Sequence, residues 1–259
     1  MRLTHIKSEM SQSGWRLAQH PLRELLYRAG DPRFLGDAAL RVLVDAWHSV
    51  SPHEFSLMFR RVRPYTMCSS ARLRGLHTAV CRIIETGVAG DLVECGCARG
   101  GSAALLGLTL KGLGVRRPLW LFDTFEGLPA PSTKDPDFEI AKLFTGDCAG
   151  SLAEVQQLFQ RFEIADDVHF VKGLFQETLP VANIREIAVL HIDGDWYYSV
   201  KSCLENLYDK VSPGGVIQFD DYGYWKGARK AVDEFFRNRG VDLPLERLDY
   251  SGRLLIKPA

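Results

Sequence analysis

With 259 residues, 46% of them hydrophobic and 25% charged, the chain can build one sizeable core plus an appendage, and its composition excludes a disordered or fibrous protein. Its 32 Lys and Arg balance 32 Asp and Glu, a neutrality that argues against a nucleic-acid partner. No stretch approaches the roughly 20 apolar residues that span a bilayer, Met1 to His20 carries no apolar leader, and six scattered cysteines need no oxidising compartment, so a cytoplasmic protein with no membrane partner is expected.

Residues 1–63 read as a helical cap, because no run before Gly90 has strand character. Within it, Arg60, Arg61 and Arg63 before Pro64 read as a solvated turn, with an anion clamp or an oligomer contact as alternatives. Residues 64–259 form the second expected unit, the catalytic domain. Leu73, Leu76, Val80 and Ile83 mark a helix leading into it. Short apolar runs then alternate with amphipathic segments, which predicts a doubly wound α/β fold with a mostly parallel sheet. Strands are expected at Asp91–Cys95, Pro118–Phe122, Val168–Lys172, Ile187–Ile192 and Gly215–Phe219. Between the second and third lies Glu126–Gly150, too long for a plain connection and a candidate lid. Ser151 with Glu154 forms a capping-box pattern ahead of Leu152, Val155, Phe159 and Phe162. Helical spacing recurs at Val200, Cys203, Leu204 and Leu207, and at Ala228, Ala231, Val232 and Phe235. Two final runs around Ser251-Gly252, Pro244–Leu248 and Arg253–Ile256, predict a closing hairpin with an antiparallel edge strand.

Three groups of residues carry chemistry. Glu94-Cys95-Gly96-Cys97-Ala98-Arg99-Gly100-Gly101 follows the first strand and opens a helix, where glycines let backbone approach a ligand. Asp123 ends the second strand, where an acid can accept ribose hydroxyls; the alternative is a turn cap. Asp193, Asp195, Asp220 and Asp221 end the fourth and fifth strands, and a parallel sheet gathers them at one rim. Repelling carboxylates there need protons or a hard cation such as Mg²⁺ or Ca²⁺, unless they only cap helices. In an extended segment Asp193 and Asp195 point to one side. His191 reads as a core histidine, with a catalytic base as the alternative, and Cys95 with Cys97 as packing, not zinc.

These residues resemble the macrocin O-methyltransferases of the TylF/MycF type, which methylate sugar hydroxyls in macrolide and related pathways. The likeness runs through Tyr65-Thr66-Met67, Val93-Glu94-Cys95-Gly96, Arg99-Gly100-Gly101, Phe122 to Pro129, Glu177 to Pro180, Asp193-Gly194-Asp195 and Ser212-Pro213-Gly214-Gly215 up to Asp220-Asp221-Tyr222. It implies a class I methyltransferase (Rossmann-like) fold with a seven-stranded sheet. Thr66, Met67, Glu94, Gly96, Asp123, Thr124, Phe125, Leu174 and Phe175 are implied to border S-adenosylmethionine, Asp193, Asp220 and Asp221 to hold Mg²⁺, and Asp195 to be the base. The partner implied is a small-molecule hydroxyl acceptor, a sugar or glycoside, and the enzyme is expected to be a homo-oligomer. Ala98 and Leu174 stand where the family usually carries bulky aromatics. A catechol or phenol methyltransferase is the nearest alternative. A nicotinamide oxidoreductase shares the glycine turn and the acidic strand end, but its third fingerprint glycine is missing and the carboxylate rim is foreign to it.

Overall fold

The computed structural model describes residues 31–242 and 244–258; the expected first part of the cap, residues 1–30, lies outside them. Seven strands form one sheet: β1 (Asp91–Cys95), β2 (Leu119–Asp123), β3 (Val168–Lys172), β4 (Ile187–Ile192), β5 (Val211–Phe219), β6 (Glu246–Arg247) and β7 (Arg253–Ile256). Their order is β3-β2-β1-β4-β5-β7-β6, parallel from β3 to β5, with β7 antiparallel to both neighbours. The expected antiparallel strand is therefore β7, one place in from the edge, and the edge itself is the two-residue β6, too short to invite another chain. β5 begins four residues earlier than expected. Ser212-Pro213-Gly214 reads as a loop, and it is an outward excursion inside the strand: Ile187 pairs with Val211, then Val189 with Val216.

Helices cover both faces: α1 (Pro32–Val50), α2 (Glu54–Val62), α3 (Ser70–Glu85), α4 (Gly101–Gly112), α5 (Phe138–Ala141), α6 (Leu152–Phe162), α7 (Phe175–Thr178), α8 (Tyr197–Leu207) and α9 (Lys226–Asn238). The capping box of α6 is complete, Ser151 accepting from Glu154 N and Glu154 from Ser151 N. One apolar layer joins β4 and β5 to α8 and α9 through Leu190, Ile217, Leu204 and Val232. Phe236, not Phe235, completes the buried face of α9, since it stands four residues after Val232. The other layer packs α2, α3, α4 and α6 on Leu92, Leu121 and Val189, with Phe55, Phe59 and Val62 fully part of it. No described helix is long and apolar enough to cross a membrane.

One expectation about the loops changes. Arg60 is not solvated: its Nη1 donates to the carbonyls of His48 (2.9 Å) and Ser51 (2.8 Å), the orphan acceptors at the end of α1. Arg63 bonds the Thr66 carbonyl and pairs with Asp45, and Arg61 lies over the Phe162 ring. The segment Glu126–Gly150, the candidate lid, is tied to the starts of α8 and α9. Asp135 accepts the Tyr197 N–H at the start of α8 (2.7 Å), Asp137 that of Lys226 at the start of α9 (3.1 Å), and the Trp196 indole donates to the Pro129 carbonyl.

Candidate active site

At the carboxyl ends of the parallel strands, where the order reverses between β1 and β4, lies a cavity of about 140 Å³. Thr66, Met67, Gly96, Asp123, Thr124, Leu174 and Phe175 line it, together with Asp193, Asp195, Asp220 and Asp221. Gly96 is required there: its φ is 91°, and a Cβ would run into the Asp193 carbonyl oxygen, so the loops after β1 and β4 could not meet.

Asp123 orders both sides of the adjoining loop. Its Oδ2 accepts the N–H groups of Cys97 (2.8 Å) and Ala98 (2.9 Å), and its Oδ1 that of Phe125 (2.7 Å). The Thr124 hydroxyl donates to the Gly127 carbonyl at 2.8 Å. Of about four acceptor sites on the carboxylate, three are thus occupied by backbone N–H groups, and the Thr124 hydroxyl lies 3.4 Å from Oδ1. The turn cap is thus observed, on a residue that also lines the cavity.

Two expected cofactor contacts do not lie on the wall. Phe125 has a φ of 54° and sends its ring into the core layer beside α4, because its N–H is tied to Asp123. Glu94 is fully buried, in register with His191 and Gln218 across the sheet. Its Oε1 meets His191 Nδ1 at 2.8 Å, and Oε2 has no hydrogen-bond partner among the described residues. His191 is likewise fully buried and meets Asp220 Oδ1 through Nε2 at 3.3 Å, a core histidine behind the cavity. Cys95 and Cys97 pack into opposite apolar layers, as the packing reading requires.

The carboxylates converge, but not through an extended strand. β4 ends at Ile192; Asp195 takes a left-handed φ of 54°, and its N–H donates to Asp221 Oδ2 at 3.0 Å. That turn brings oxygens of Asp193, Asp195 and Asp221 within 4.8 Å of one another. Asp220 sits in a neighbouring cluster with Cys68, His191 and Asp193, so the expected metal trio is divided between two clusters. Arg72 on α3, absent from the expected site, forms an ion pair with Asp220 and another with Asp249 (3.0 Å). Trp225, at the N-cap of α9, donates its indole N–H to Asp195 Oδ1 at 2.9 Å. The Ser69-led helix start is readable in the sequence, yet no local pattern reveals that a guanidinium reaches a strand end 148 residues away.

Electrostatics separates these groups. Burial, followed by repulsion from Asp220, Asp221 and Asp195, pushes Asp193 well up; burial and then Asp221 do the same to Asp195. Asp221 is raised to about 7 by burial and Asp220. Asp220 moves oppositely, to about 2: burial would raise it, but Arg72 and His191 outweigh that. His191 reaches about 9, its hydrogen bonds to Asp220 and Glu94 outweighing burial. Converging, mutually repelling carboxylate oxygens, half-buried at Asp193 and Asp195 and buried at Asp221, are a donor set suited to a hard divalent cation.

A family model described as macrocin-O-methyltransferase (TylF) matches residues 60–256. The 8-demethyl-8-(2,3-dimethoxy-alpha-L-rhamnosyl)-tetracenomycin-C 4'-O-methyltransferase of Streptomyces olivaceus is 34% identical over 238 residues, 90% of this chain and 84% of that protein. Mycinamicin III 3''-O-methyltransferase of Micromonospora griseorubida is 34% identical over 195 residues, 73% and 76% of the two chains. The solved structure of the O-methyltransferase NovP superposes with a TM-score of 0.71 at 34% identity, covering 75% of this chain and 83% of that one.

Proposed function

The chain belongs to the macrocin O-methyltransferase (TylF) family and is an O-methyltransferase, and on that premise we propose that it methylates a hydroxyl of a sugar or glycosylated small molecule in natural-product biosynthesis, using S-adenosylmethionine and Mg²⁺. One observation carries the proposal beyond the family: the glycine loop with Asp123 and the converging carboxylates face a single cavity. S-adenosylmethionine is assigned to the side lined by Thr66, Met67, Gly96, Asp123, Thr124, Leu174 and Phe175. Mg²⁺ is assigned to Asp193 and Asp221, with Asp220 as third ligand through the oxygen that Arg72 does not hold. When bound, the ion supplies positive charge that makes the acceptor hydroxyl more acidic.

Asp195 is the base. Its Oδ1 is held by the Trp225 indole, which leaves Oδ2 to take the proton. Burial raises the affinity of this carboxylate for a proton and so brings it closer to that of the acceptor hydroxyl. When bound, S-adenosylmethionine would supply an electrophilic methyl group to the acceptor oxygen as Asp195 takes the proton, the cofactor's sulfur leaving as a neutral thioether. Alignment of those atoms is the larger part of the work. The helical segment up to Arg63 is proposed as a cap on the acceptor side, the enzyme as a homo-oligomer, and the cytoplasm as its compartment.

The test is a screen with labelled S-adenosylmethionine and Mg²⁺ against glycosides, free sugars, uronates and catechols. Label in a glycoside or sugar is expected. Label in catechols alone would replace the sugar reading by the phenolic one, and no label in any acceptor would remove both.

A further inference from the structure

Tyr224 and Trp225 line two cavities. One holds the carboxylates; the other, of about 200 Å³, is many times larger than the roughly 10–15 Å³ a water needs. Among the described residues, the charged ones of this second wall are Arg33, Lys226, Arg229, Arg247 and Arg253, against Asp31 alone. A chain of zero formal charge does not collect five cations around one cavity by composition. Asp31 is already engaged by Arg33 and the Tyr250 hydroxyl, and Arg247 reaches Asp37 at 3.7 Å. Lys226, Arg229 and Arg253 form no ion pair among the described residues.

Two of these cations are held in place without being neutralised. Arg229 Nε donates to the Tyr222 carbonyl at 3.1 Å, and Arg253 Nη1 to the carbonyls of Asp249 and Gly252. Both guanidinium groups lie over the Tyr222 ring, at 5.2 and 5.4 Å from its centre. Burial, then the charges of Arg247 and Arg229, press the Arg253 pKa below its ordinary value. Positioned, mutually repelling planar guanidinium groups match the multiply charged oxygens of a phosphate ester. The adjoining wall says whose phosphate it is. Trp225, which holds Asp195, also bounds the basic cavity, and Lys226 is the next residue in the chain.

We propose that the basic cavity binds the phosphate or diphosphate of the acceptor, so that the sugar is methylated while carried on a nucleoside diphosphate. A glycosyl transfer would then have to consume the methylated product. This rests on the assignment of the carboxylate cavity to the acceptor hydroxyl.

Inorganic pyrophosphate is the probe, titrated calorimetrically into the protein saturated with S-adenosylhomocysteine. Binding that weakens with salt is expected, with an affinity at least about 10-fold lower in the double variant R229Q/R253Q. Unchanged S-adenosylhomocysteine binding in that variant, and in the single exposed variant K226Q, verifies that the fold survives. In methyl transfer, pyrophosphate should compete with a nucleoside-diphosphate sugar, and the double variant should raise its KM at constant kcat. Absent binding, or binding indifferent to the substitutions, overturns the site. Binding without competition overturns its link to the acceptor and marks a site for free anions. Pyrophosphate binding is read without turnover, so it can fail while neutral glycosides are methylated, which ends this inference and leaves the enzymatic reading standing.

Discussion

Replacing Arg72 by Met should cost the fold about 3 to 5 kcal/mol, because it removes one partner from a buried ion-pair network. The side chains of Arg72, Asp220 and Asp249 are only 12, 4 and 8% exposed. Asp249 would keep the Ser69 hydroxyl at 2.5 Å and the N–H groups of Ser251 and Gly252, so Asp220 carries most of the loss, left with His191 and Cys68. A carboxylate held at about 2 instead of 3.8 contributes roughly 2 to 3 kcal/mol at neutral pH, and without Arg72 only His191 would oppose the effect of burial on it. At about 2 to 4 °C per kcal/mol for a domain of this size, Tm should fall by roughly 6 to 20 °C. The measurement is thermal unfolding of wild type, R72M, D249N and the double variant in a chelator, with D249N partly relieving R72M. Because the folded pKa of Asp220 is depressed, its contribution is complete above the ordinary carboxylate range and drains away as pH falls from about 4 towards about 2. The gap between wild type and R72M should therefore be flat through neutral pH and close only in acid. A loss below about 1 kcal/mol at pH 7, or a gap that closes on the alkaline side, would refute the reasoning.

Chelation should abolish methyl transfer and Mg²⁺ restore it, while S-adenosylhomocysteine binding, read by calorimetry, persists because its proposed contacts lie at Gly96 and Asp123. Asp193→Asn should weaken Mg²⁺ affinity and be partly rescued by excess metal, whereas Asp195→Asn should lose about 10² to 10⁴ in kcat without rescue; kcat against Mg²⁺ concentration separates them. If Asp195→Asn keeps near-normal kcat and His191→Gln loses it, the base is misassigned. Asp123→Ala should lower both Tm and S-adenosylhomocysteine affinity, since it strips three backbone N–H groups of their acceptor; a fall in Tm with unchanged affinity would make Asp123 a cap alone.

The parallel strands were legible because buried strands are continuous apolar runs: Ile187–Ile192 is buried at every position. Their order in the chain then places the ends of β1, β2, β4 and β5 at one rim, which is why the glycine loop, Asp123 and the four rim carboxylates were recognisable as one region. Where each side chain points depended on features without a local pattern. Glu94 follows the parity of β1 away from the cavity, into the row shared with His191 and Gln218. Phe125 turns into the core through one hydrogen bond to Asp123. Arg72 reaches the rim because α3 packs against β4 and β5, a contact far from local in sequence.

That last contact sorts four chemically identical side chains into two roles. Arg72 and His191 are positioned on Asp220, and neither forms an ion pair with Asp193, Asp195 or Asp221 among the described residues. The consequence is a wide separation between adjacent carboxylates in one chain segment, Asp220 at about 2 and Asp221 at about 7. Neighbouring acids driven apart in this way mark different tasks. Asp220, neutralised from within, is anchored and adds to stability at neutral pH, while the oxygen that Arg72 does not hold stays available to the proposed ion. Asp193, Asp195 and Asp221 keep their mutual repulsion, and that unrelieved charge is what a divalent cation and a transferred proton can each reduce. On this argument the cost of burying the cluster belongs to function, and substitution of any one of the three by its amide should raise Tm in chelator even as it impairs catalysis.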